Sequence, residues 1–177
     1  MPTARPTLDV ESVRALIARG EIQTLVVDDL ALHDLAGISW SGSSLHLASV
    51  AENLRRPPEA VEYLCVRAPS GAPVAKGGVD YEAHPGTGTL WQFAVHPSLQ
   101  SLGLGTYLIA AAEDRIVRRG LLVARIGVDD GNDDALRLYL RLGYIACGRW
   151  SSSWPALDDE GLEYLHEAEG TDLSKTL

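Results

Sequence analysis

A pair of glycines, at the junction of a strand-like run and a helical pattern, constrains the fold of this chain more than any other feature. The segment FAVHPSLQSLGLGTYLI carries Gly103 and Gly105 just where the helix should begin. Arg118 and Arg119 suit the negative end of a helix, and Gly120 suits its termination. The apolar spacing therefore predicts a helix over residues 104–119, whose buried stripe is Leu104, Leu108, Ala111, Ala112 and Ile116.

The two glycines favour a loop that binds an anion. Because glycine has no Cβ, backbone N–H groups near Gly103 and Gly105 can approach a ligand closely. The unpaired N–H groups and the dipole of the helix then favour a group such as pyrophosphate. A plain strand-to-helix turn remains the alternative interpretation. A Rossmann loop fits poorly because position 108 is Leu and antiparallel strands precede it, and a Walker loop is excluded because Thr106 and Tyr107 follow Gly105.

Periodicity along the chain predicts one α/β (α+β) domain over residues 1–177, in which an antiparallel section precedes an alternating one. Residues 1–8, which contain two prolines, are expected to form a loose tail. The rest predicts a mixed, mostly antiparallel sheet of six or seven strands flanked by helices. Strands are predicted at residues 22–28, 62–67, 73–81, 89–95, 121–128, 144–150 and 162–168. Helices are predicted at residues 10–19, 30–36, 45–55, 104–119 and 133–142.

Composition argues against several classes of protein. With 177 residues and 46% hydrophobic content, the chain can bury one core. Fifteen Lys and Arg against 24 Asp and Glu give a net charge of -9, which disfavours nucleic acid and anionic membranes and favours a cationic substrate. The lack of a long apolar run or secretory signal predicts a cytoplasmic protein. Cys65 and Cys147 lack the spacing of a metal site, so we expect two buried thiols and no metal.

A second informative segment, GVDDGNDDALRLYLRLGYIACGRW, predicts a loop, a short helix closed by a glycine, and a strand. Asn132 or Asp133 is a suitable N-cap, because its side-chain oxygen can accept from a free amide of the first turn. Helical spacing places Leu136, Tyr139 and Leu140 on one face. On these residues alone, Asn132 caps the helix and Tyr139 packs against the core.

Two motifs in the proper order resemble those of the GNAT (Gcn5-related) N-acetyltransferase superfamily. The first is Gln-x-x-Gly-x-Gly at residues 100–105, after a strand that ends in V-H-P. The second is N-x-x-A-x-x-x-Y-x-x-x-G-Y at residues 132–144. The resemblance covers about residues 60–150, with the cofactor-binding core at residues 89–144. It implies a GNAT-like sheet that is splayed open at an acetyl-CoA site.

The resemblance implies roles for individual residues. Backbone groups of Phe93 and Val95 would hold the pantetheine arm, and the amides of residues 102–106 would hold the pyrophosphate. The amide of Val95 would donate to the thioester carbonyl, and the phenol of Tyr139 would protonate the departing thiolate. The residues expected at acetyl-CoA are Phe93, Val95, Gln100, Ser101, Leu102, Gly103, Leu104, Gly105, Thr106, Asn132, Ala135 and Tyr139.

The chain departs from the family at the position of the general base. Many members carry a Glu on the strand before the glycine loop, whereas residues 89–95 read TLWQFAV and contain no acid. Asp80 and Glu82, at the end of the preceding strand, are candidates, and we take Glu82 as the expected catalytic base. His84 and His96, on adjoining loops, are further candidates. Aromatic residues near turn-rich segments, which either box a cation or simply pack, are Trp40, Trp150 and Trp154.

The resemblance implies an enzyme that moves the acetyl group of acetyl-CoA to a primary amine of a small molecule by direct attack. Two alternatives stay open. One is a protein N-terminal or lysine acetyltransferase, and the other is a non-catalytic CoA-binding sensor that has lost its base. The expected ligands are acetyl-CoA and an amine, without a metal. A homodimer, paired through the strand around Trp150, is expected from the same resemblance.

Overall fold

The computed structural model describes residues 7–177, so residues 1–6 of the expected tail lie outside the described residues. Its helices are α1 (Val10–Ala18), α2 (Ser44–Asn53), α3 (Leu104–Arg118) and α4 (Asp133–Arg141). Its strands are β1 (Val26–Asp29), β2 (Val61–Arg67), β3 (Pro73–Asp80), β4 (Gly88–Val95), β5 (Val123–Asp129), β6 (Ile145–Leu157) and β7 (Glu163–Thr176). They form one sheet in the order β1-β2-β3-β4-β5-β7-β6, antiparallel at every pair except β4–β5. The predicted mixed, mostly antiparallel sheet is confirmed.

The sheet buries apolar side chains on both faces, and β2 shows this by its alternation. Leu64 and Val66 join the core that contains α3, whereas Tyr63 and Cys65 join a second core that contains Val50 of α2. Because successive strand residues point to opposite faces, α2 and α3 cover opposite sides of the sheet. The buried residues of α3 are Leu104, Leu108, Ile109, Ala112 and Ile116. Ala111, predicted to be buried, is half-buried, and Ile109 takes its place.

Two predicted elements differ from the structure before β2. Residues 22–28 begin with a 3-10 turn, Ile22–Thr24, and the strand that pairs with β2 is only β1, Val26–Asp29. Residues 30–36 form a 3-10 helix, Leu32–Gly37, instead of an α-helix. Asp34 explains this form, because its carboxylate accepts from the amide of Ala31 and from the guanidinium of Arg67. These side-chain bonds satisfy the local backbone in a tight turn.

The two final strands are much longer than predicted. β6 has 13 residues and β7 has 14, and they pair along a hairpin from Ile145–Ser174 to Leu157–Glu163. Most side chains in the outer half of the hairpin are exposed on both faces of the sheet. The sequence there consequently lacks the alternation of apolar and polar residues that predicts a strand. Cys147 on β6 is exposed, contrary to the predicted burial, whereas Cys65 is buried as predicted. β6 lies at the edge of the described sheet, where β7 is the strand that pairs with it.

Within residues 7–177, no helix combines the length and the apolar character that crossing a membrane requires.

Candidate active site

The sheet opens between β4 and β5. These strands form the one parallel pair of the described sheet, and only Gly88–Leu90 and Ala124–Ile126 are aligned. Beyond Leu90, β4 continues beside β3 to Val95, whereas β5 continues beside β7 to Asp129. A wedge-shaped gap therefore separates the carboxyl ends of the neighbouring strands β4 and β5. This is the splayed geometry that the sequence analysis expects.

A β-bulge in β4 bends the strand at the mouth of this gap. Gln92 and Phe93 together face the single residue Gly77 on β3, and Gln92 has a positive φ of 51°. Gly77 suits the close approach, because a Cβ there would lie 2.6 Å from the ring of Phe93. A bulge increases local twist and redirects the strand, which contributes to the divergence from β5.

The amide of Val95 points into the gap. His96 donates its backbone N–H to Val74 O at 2.8 Å, so these two residues form a hydrogen-bonded pair. Pairs alternate along an antiparallel ladder, and the next pair, Val95 with Ala75, therefore directs its N–H and C=O groups away from β3. The side chain of Gln100 donates to that carbonyl of Val95 at 3.3 Å, which ties the glycine loop to the strand.

The glycine loop leads into α3 through two left-handed residues. Ser101 has φ 61° and Gly103 has φ 89°. Gly103 is the N-cap residue and supplies no side-chain cap, and its carbonyl accepts from Tyr107 N at 3.0 Å. In the described chain, the amides of residues 102–106 donate to no protein group. They remain free at the positive end of a 15-residue helix, an arrangement that suits a phosphate group.

A cleft of about 720 Å³ lies along this surface, between β4, the glycine loop and α4. Of the residues expected at acetyl-CoA, those that line it are Phe93, Val95, Gln100, Ser101, Gly103, Gly105, Thr106, Ala135 and Tyr139. Leu104 does not, because its side chain is buried beneath α3, and Leu102 packs against the same core. Their backbone amides remain available. Trp40, which the sequence analysis singled out, also lines the cleft, and further lining residues that the sequence did not indicate include Ser41, Arg137 and Arg141.

Tyr139 closes one side of the cleft. Its ring is buried and meets Tyr144 edge-on, with centroids 5.6 Å apart. Burial raises the pKa of Tyr139 to about 12, so the phenol is protonated across the physiological range. Tyr144 is fixed behind it, because its hydroxyl donates to Glu113 at 2.9 Å, and Lys175 binds the other oxygen of that carboxylate at 2.8 Å. Tyr139 therefore has the position and protonation state of an acid.

Asn132 has a structural position beside the cleft. Its side chain accepts from Ala135 N at 3.2 Å, so the predicted N-cap of α4 is confirmed. It lines a smaller depression with Asp129 and Thr171, not the main cleft. The structure thus does not bring the side chain of Asn132 into the cleft, where its expected contact with acetyl-CoA would form. Leu140, predicted to lie on the same helical face as Tyr139, is half exposed.

The expected base, Glu82, lies at the wrong end of the strands. β3 and β4 are antiparallel, and Asp80 is aligned with Thr89, six residues before Val95 and thus roughly 20 Å away along the strand. Glu82 follows Asp80 and pairs with Arg56 at 2.7 Å. We therefore correct the assignment of Glu82. Asp80 binds Arg56 at 3.2 Å, and His84 contacts Thr89 at 3.1 Å, so both residues lie at the same far end of the strands. Neither of them is therefore assigned as the base.

The three tryptophans do not form a common box. Trp40 lines the cleft and meets His96 edge-on at 5.4 Å. Trp150 instead packs over glycines within the sheet, where a Cβ at Gly127 would lie 2.8 Å from its Nε1. Trp154 lies on the β6–β7 hairpin beside His166.

A polar cluster beneath α2 escaped the sequence interpretation. Lys76 of β3 is completely buried, and its Nζ lies 2.8 Å from Nε2 of His46 and donates to Gln92 O at 2.7 Å. The side chain of Gln92 is held in turn by the hydroxyls of Tyr63, at 2.7 Å, and Ser49, at 3.3 Å. The available signal was a lysine inside the apolar strand PVAKGGV. A lysine there is costly unless it has partners.

Comparison with known proteins decides the family. Residues 30–144 match the family described as Acetyltransferase (GNAT) family. The chain belongs to the GNAT family. GNAT proteins use acetyl-CoA as co-substrate. The wedge, the free amides and the cleft fit that group, and the residues that could hold it are Phe93, Val95 and residues 102–106.

Several proteins similar to this GNAT chain have been described. A mycothiol acetyltransferase of Paenarthrobacter aurescens (strain TC1) is 35% identical over 69 residues, which are 39% of this chain and 20% of that protein. The chain thus spans only a fraction of the relative's length. The ribosomal-protein-S18-alanine N-acetyltransferase of Escherichia coli has a TM-score of 0.66 at 20% identity, covering 86% and 94% of the two chains. A PaiA N-acetyltransferase from Thermoplasma acidophilum, in complex with coenzyme A, has a TM-score of 0.62 at 15% identity, covering 87% and 99%.

Proposed function

We propose that this GNAT enzyme transfers the acetyl group of acetyl-CoA to a primary amine of a small molecule by direct attack. The observation that carries the proposal is the convergence of the outward-facing amide of Val95, the free amides of residues 102–106 and the phenol of Tyr139 on one cleft. A fixed N–H dipole, an anion site and a protonated acid are the groups that acetyl transfer from a thioester requires.

Each group has a separate task in the proposed reaction. The amides at the start of α3 anchor the pyrophosphate, and the Val95 amide donates to the thioester oxygen as negative charge develops there. The attacking nitrogen forms its bond to the acetyl carbon while it loses a proton. The C–S bond then breaks, and Tyr139 transfers its proton to the sulfur. Since burial raises the pKa of Tyr139 to about 12, the acid form is present at the start of each turnover.

Electrostatics support an amine as the acceptor. The net charge is -9, and β6 of the hairpin contacts α2. Acidic residues exposed on that hairpin and its turn are Asp158, Asp159, Glu160, Glu163, Glu167 and Glu169. Their field favours a protonated amine over an anion. The relative named mycothiol acetyltransferase agrees with a small-molecule acceptor.

An acceptor panel tests this proposal. Purified protein is incubated with acetyl-CoA and polyamines, amino-acid derivatives or amino sugars, and thiol release is followed together with mass spectra of the products. A parallel panel of peptides with free N-termini or lysines tests the protein-directed alternative. Acetylated small amines support the proposal, whereas transfer to peptides alone contradicts it. Acetyl-CoA binding without any transfer supports the sensor alternative.

We also propose a homodimer formed through the free edge of β6. The hairpin exposes apolar side chains, among them Trp154, Leu162 and Leu165, beside an unpaired strand edge. Such edges associate readily with a second strand. Light scattering coupled to size exclusion measures the mass in solution. A dimer that Trp154→Glu converts to a monomer supports the proposal, and a wild-type monomer at micromolar concentration contradicts it.

A further inference from the structure

The contact between Lys76 and His46 is unusual because it buries an amine without a carboxylate. Lys76 has no solvent exposure, and in the described chain it forms no ion pair. Its partners are the ring nitrogen of His46 and the carbonyl of Gln92. Burial of a charge without a counter-ion costs free energy, and the amine responds by losing its proton more easily. Accordingly, burial lowers the pKa of Lys76 to about 8.

This pair lies directly behind the wall of the cleft. Lys76 is aligned with Ala94 on β4, which lines the cleft, and its Nζ holds the carbonyl of the bulge at Gln92. The imidazole of His46 packs so tightly over Gly42 that a Cβ there would lie 2.7 Å from it, and the preceding residue, Ser41, also lines the cleft. His46 is half-buried whereas Lys76 is fully buried, so the imidazole lies between the amine and the accessible surface.

The transfer reaction needs a proton acceptor that the strands themselves do not supply. β4 contains no acid, and the side chain of Gln92 already bonds to Tyr63 and Ser49. The carboxylate of Glu82 is at the far end of β3 and pairs with Arg56. An imidazole joined to a neutral amine can accept a proton and pass one to the amine, whose ammonium form then donates to Nε2 of His46 and to the carbonyl of Gln92.

We propose that His46 and Lys76 are the proton-accepting pair of this enzyme, with His46 receiving the proton of the attacking amine and Lys76 storing it. The proposal rests on the proposed function, because it assigns the base of that same reaction. It makes His46 the proton acceptor behind the cleft and Lys76 a proton-storing residue that acts through it.

The proton transfers balance in the following way. With Lys76 neutral, its lone pair accepts the Nε2–H of His46, which leaves a lone pair on Nδ1. As the new C–N bond forms, the amine proton moves through solvent in the cleft to Nδ1, and the Nε2 proton moves to Nζ of Lys76. The C–S bond breaks and the sulfur takes the proton of Tyr139. Lys76 afterwards returns one proton to solvent through His46, and Tyr139 regains one from solvent.

The surroundings leave this pair free to titrate by itself. Tyr63 and Cys65 of β2 face the same side of the sheet, and burial raises the pKa of both, so both stay neutral at working pH. The carboxylates beyond them are Asp28, which bonds Cys65, and Asp80, which pairs with Arg56. His96 packs edge-on against Trp40. Burial and the Lys76 charge lower the pKa of His46 to about 4, so its imidazole is neutral before the reaction.

The pair is tested first without any substrate. Nitrogen-15 NMR of the wild-type protein follows the ring nitrogens of His46 and Nζ of Lys76 between pH 4 and pH 11. We expect Lys76 to titrate near pH 8, and the His46 nitrogens to shift in the same transition because their hydrogen bond reverses. Titration of Lys76 near its usual value of 10.5 overturns the proposal. This result is independent of whether any amine is a substrate.

Activity with the best amine of the panel provides the second test. Wild-type kcat is expected to rise with pH, with a midpoint near 8. His46→Gln is expected to lose about 10²-fold or more in kcat, with acetyl-CoA affinity unchanged. Lys76→Met is expected to lose the pH-dependent rise, and added imidazole to restore part of the activity of His46→Ala. Ser44→Ala, at an exposed position of the same helix, is the matched control and keeps the wild-type pH profile.

Two outcomes contradict the pair while leaving the proposed function intact. One is a His46→Gln variant with wild-type kcat on an accepted amine. The other is a Lys76→Met variant that keeps the midpoint near pH 8. Thermal unfolding and acetyl-CoA titration of each variant show whether it is folded, so a loss of activity through misfolding is recognised. Failure of every amine in the panel contradicts the proposed function instead, and the NMR result then stands alone.

Discussion

Leu90 and Ile126 form the last aligned pair between β4 and β5. Val95 lies five residues further along β4, roughly 16 Å away, with its amide directed into the widening gap. The opening therefore follows from the pairing pattern: β4 stays with β3 and β5 stays with β7. An extended ligand can occupy the gap as if it were a missing strand segment, with backbone groups of β4 available to it.

Substitution of Gly103 and Gly105 separates backbone strain from ligand contact. Gly103 has φ 89°, so Gly103→Ala is expected to lower the free energy of unfolding by about 1–2 kcal/mol and to disturb the loop. Gly105 has ordinary backbone geometry, and a Cβ there would lie 3.8 Å from Val95 and 3.9 Å from Leu138, which is normal contact. Gly105→Ala should keep its stability, and Gly105→Val should bind CoA more weakly because its side chain extends into the cleft. Calorimetric CoA titration and urea denaturation measure both effects, and equal CoA affinity in Gly105→Val would contradict the cofactor site.

Tyr139→Phe tests the acid. We expect kcat to fall by about 10²-fold or more while the KM for acetyl-CoA changes little, because the hydroxyl acts on the leaving group. Tyr144→Phe is the matched control. It removes the hydrogen bond to Glu113 and should cost about 1–3 kcal/mol of stability without a comparable loss in kcat. Steady-state kinetics with thermal unfolding distinguish the two, and a fully active Tyr139→Phe enzyme excludes the acid role.

Glu82→Gln tests the corrected assignment of the base. The side chain is 67% exposed and its partner, Arg56, retains Asp80, so the pair contributes at most about 1 kcal/mol to stability. We expect unchanged kcat and an unchanged pH profile. A large fall in kcat would show that Glu82 acts in the reaction despite its position at the far end of β3.

Local chemistry explains which features the sequence predicted. Asn132 was identified as an N-cap because capping needs one side chain and an amide three residues away. The position of Glu82 was misjudged because strand direction was not applied: the end of an antiparallel strand lies beside the start of its neighbour. The contact of His46 with Lys76 joins residues 30 positions apart through packing of α2 on the sheet, which no local pattern specifies. The long β6–β7 hairpin was underestimated because both of its outer faces are exposed.

The same buried pair predicts how stability varies with pH. The folded-state pKa of His46 is about 4, below its usual 6.5, so the unfolded chain binds more protons between these values and stability is lost as pH falls from 6.5 to 4. The pKa of Lys76 is about 8, below 10.5, so stability rises as pH increases from 8 to 10.5. Urea denaturation at intervals across both windows measures this dependence. Lys76→Met should remove the alkaline rise, and an identical rise in that variant would assign it to another group.

Gln92→Glu places a carboxylate on β4 and tests whether the base of the reaction is the His46–Lys76 pair or a carboxylate. The new side chain would lie in the cluster that contains Lys76, beside the hydroxyls of Tyr63 and Ser49. A nearby negative charge in a buried site stabilises the ammonium form and raises the pKa of Lys76. If the His46–Lys76 pair accepts the proton, Gln92→Glu should shift the rise of kcat to higher pH and lower the rate near pH 7. If the site instead works best with a carboxylate base, the same substitution should increase kcat near pH 7 and make His46→Gln harmless. The pH profile of Gln92→Glu, with and without His46→Gln, therefore decides between a lysine-backed imidazole and a carboxylate.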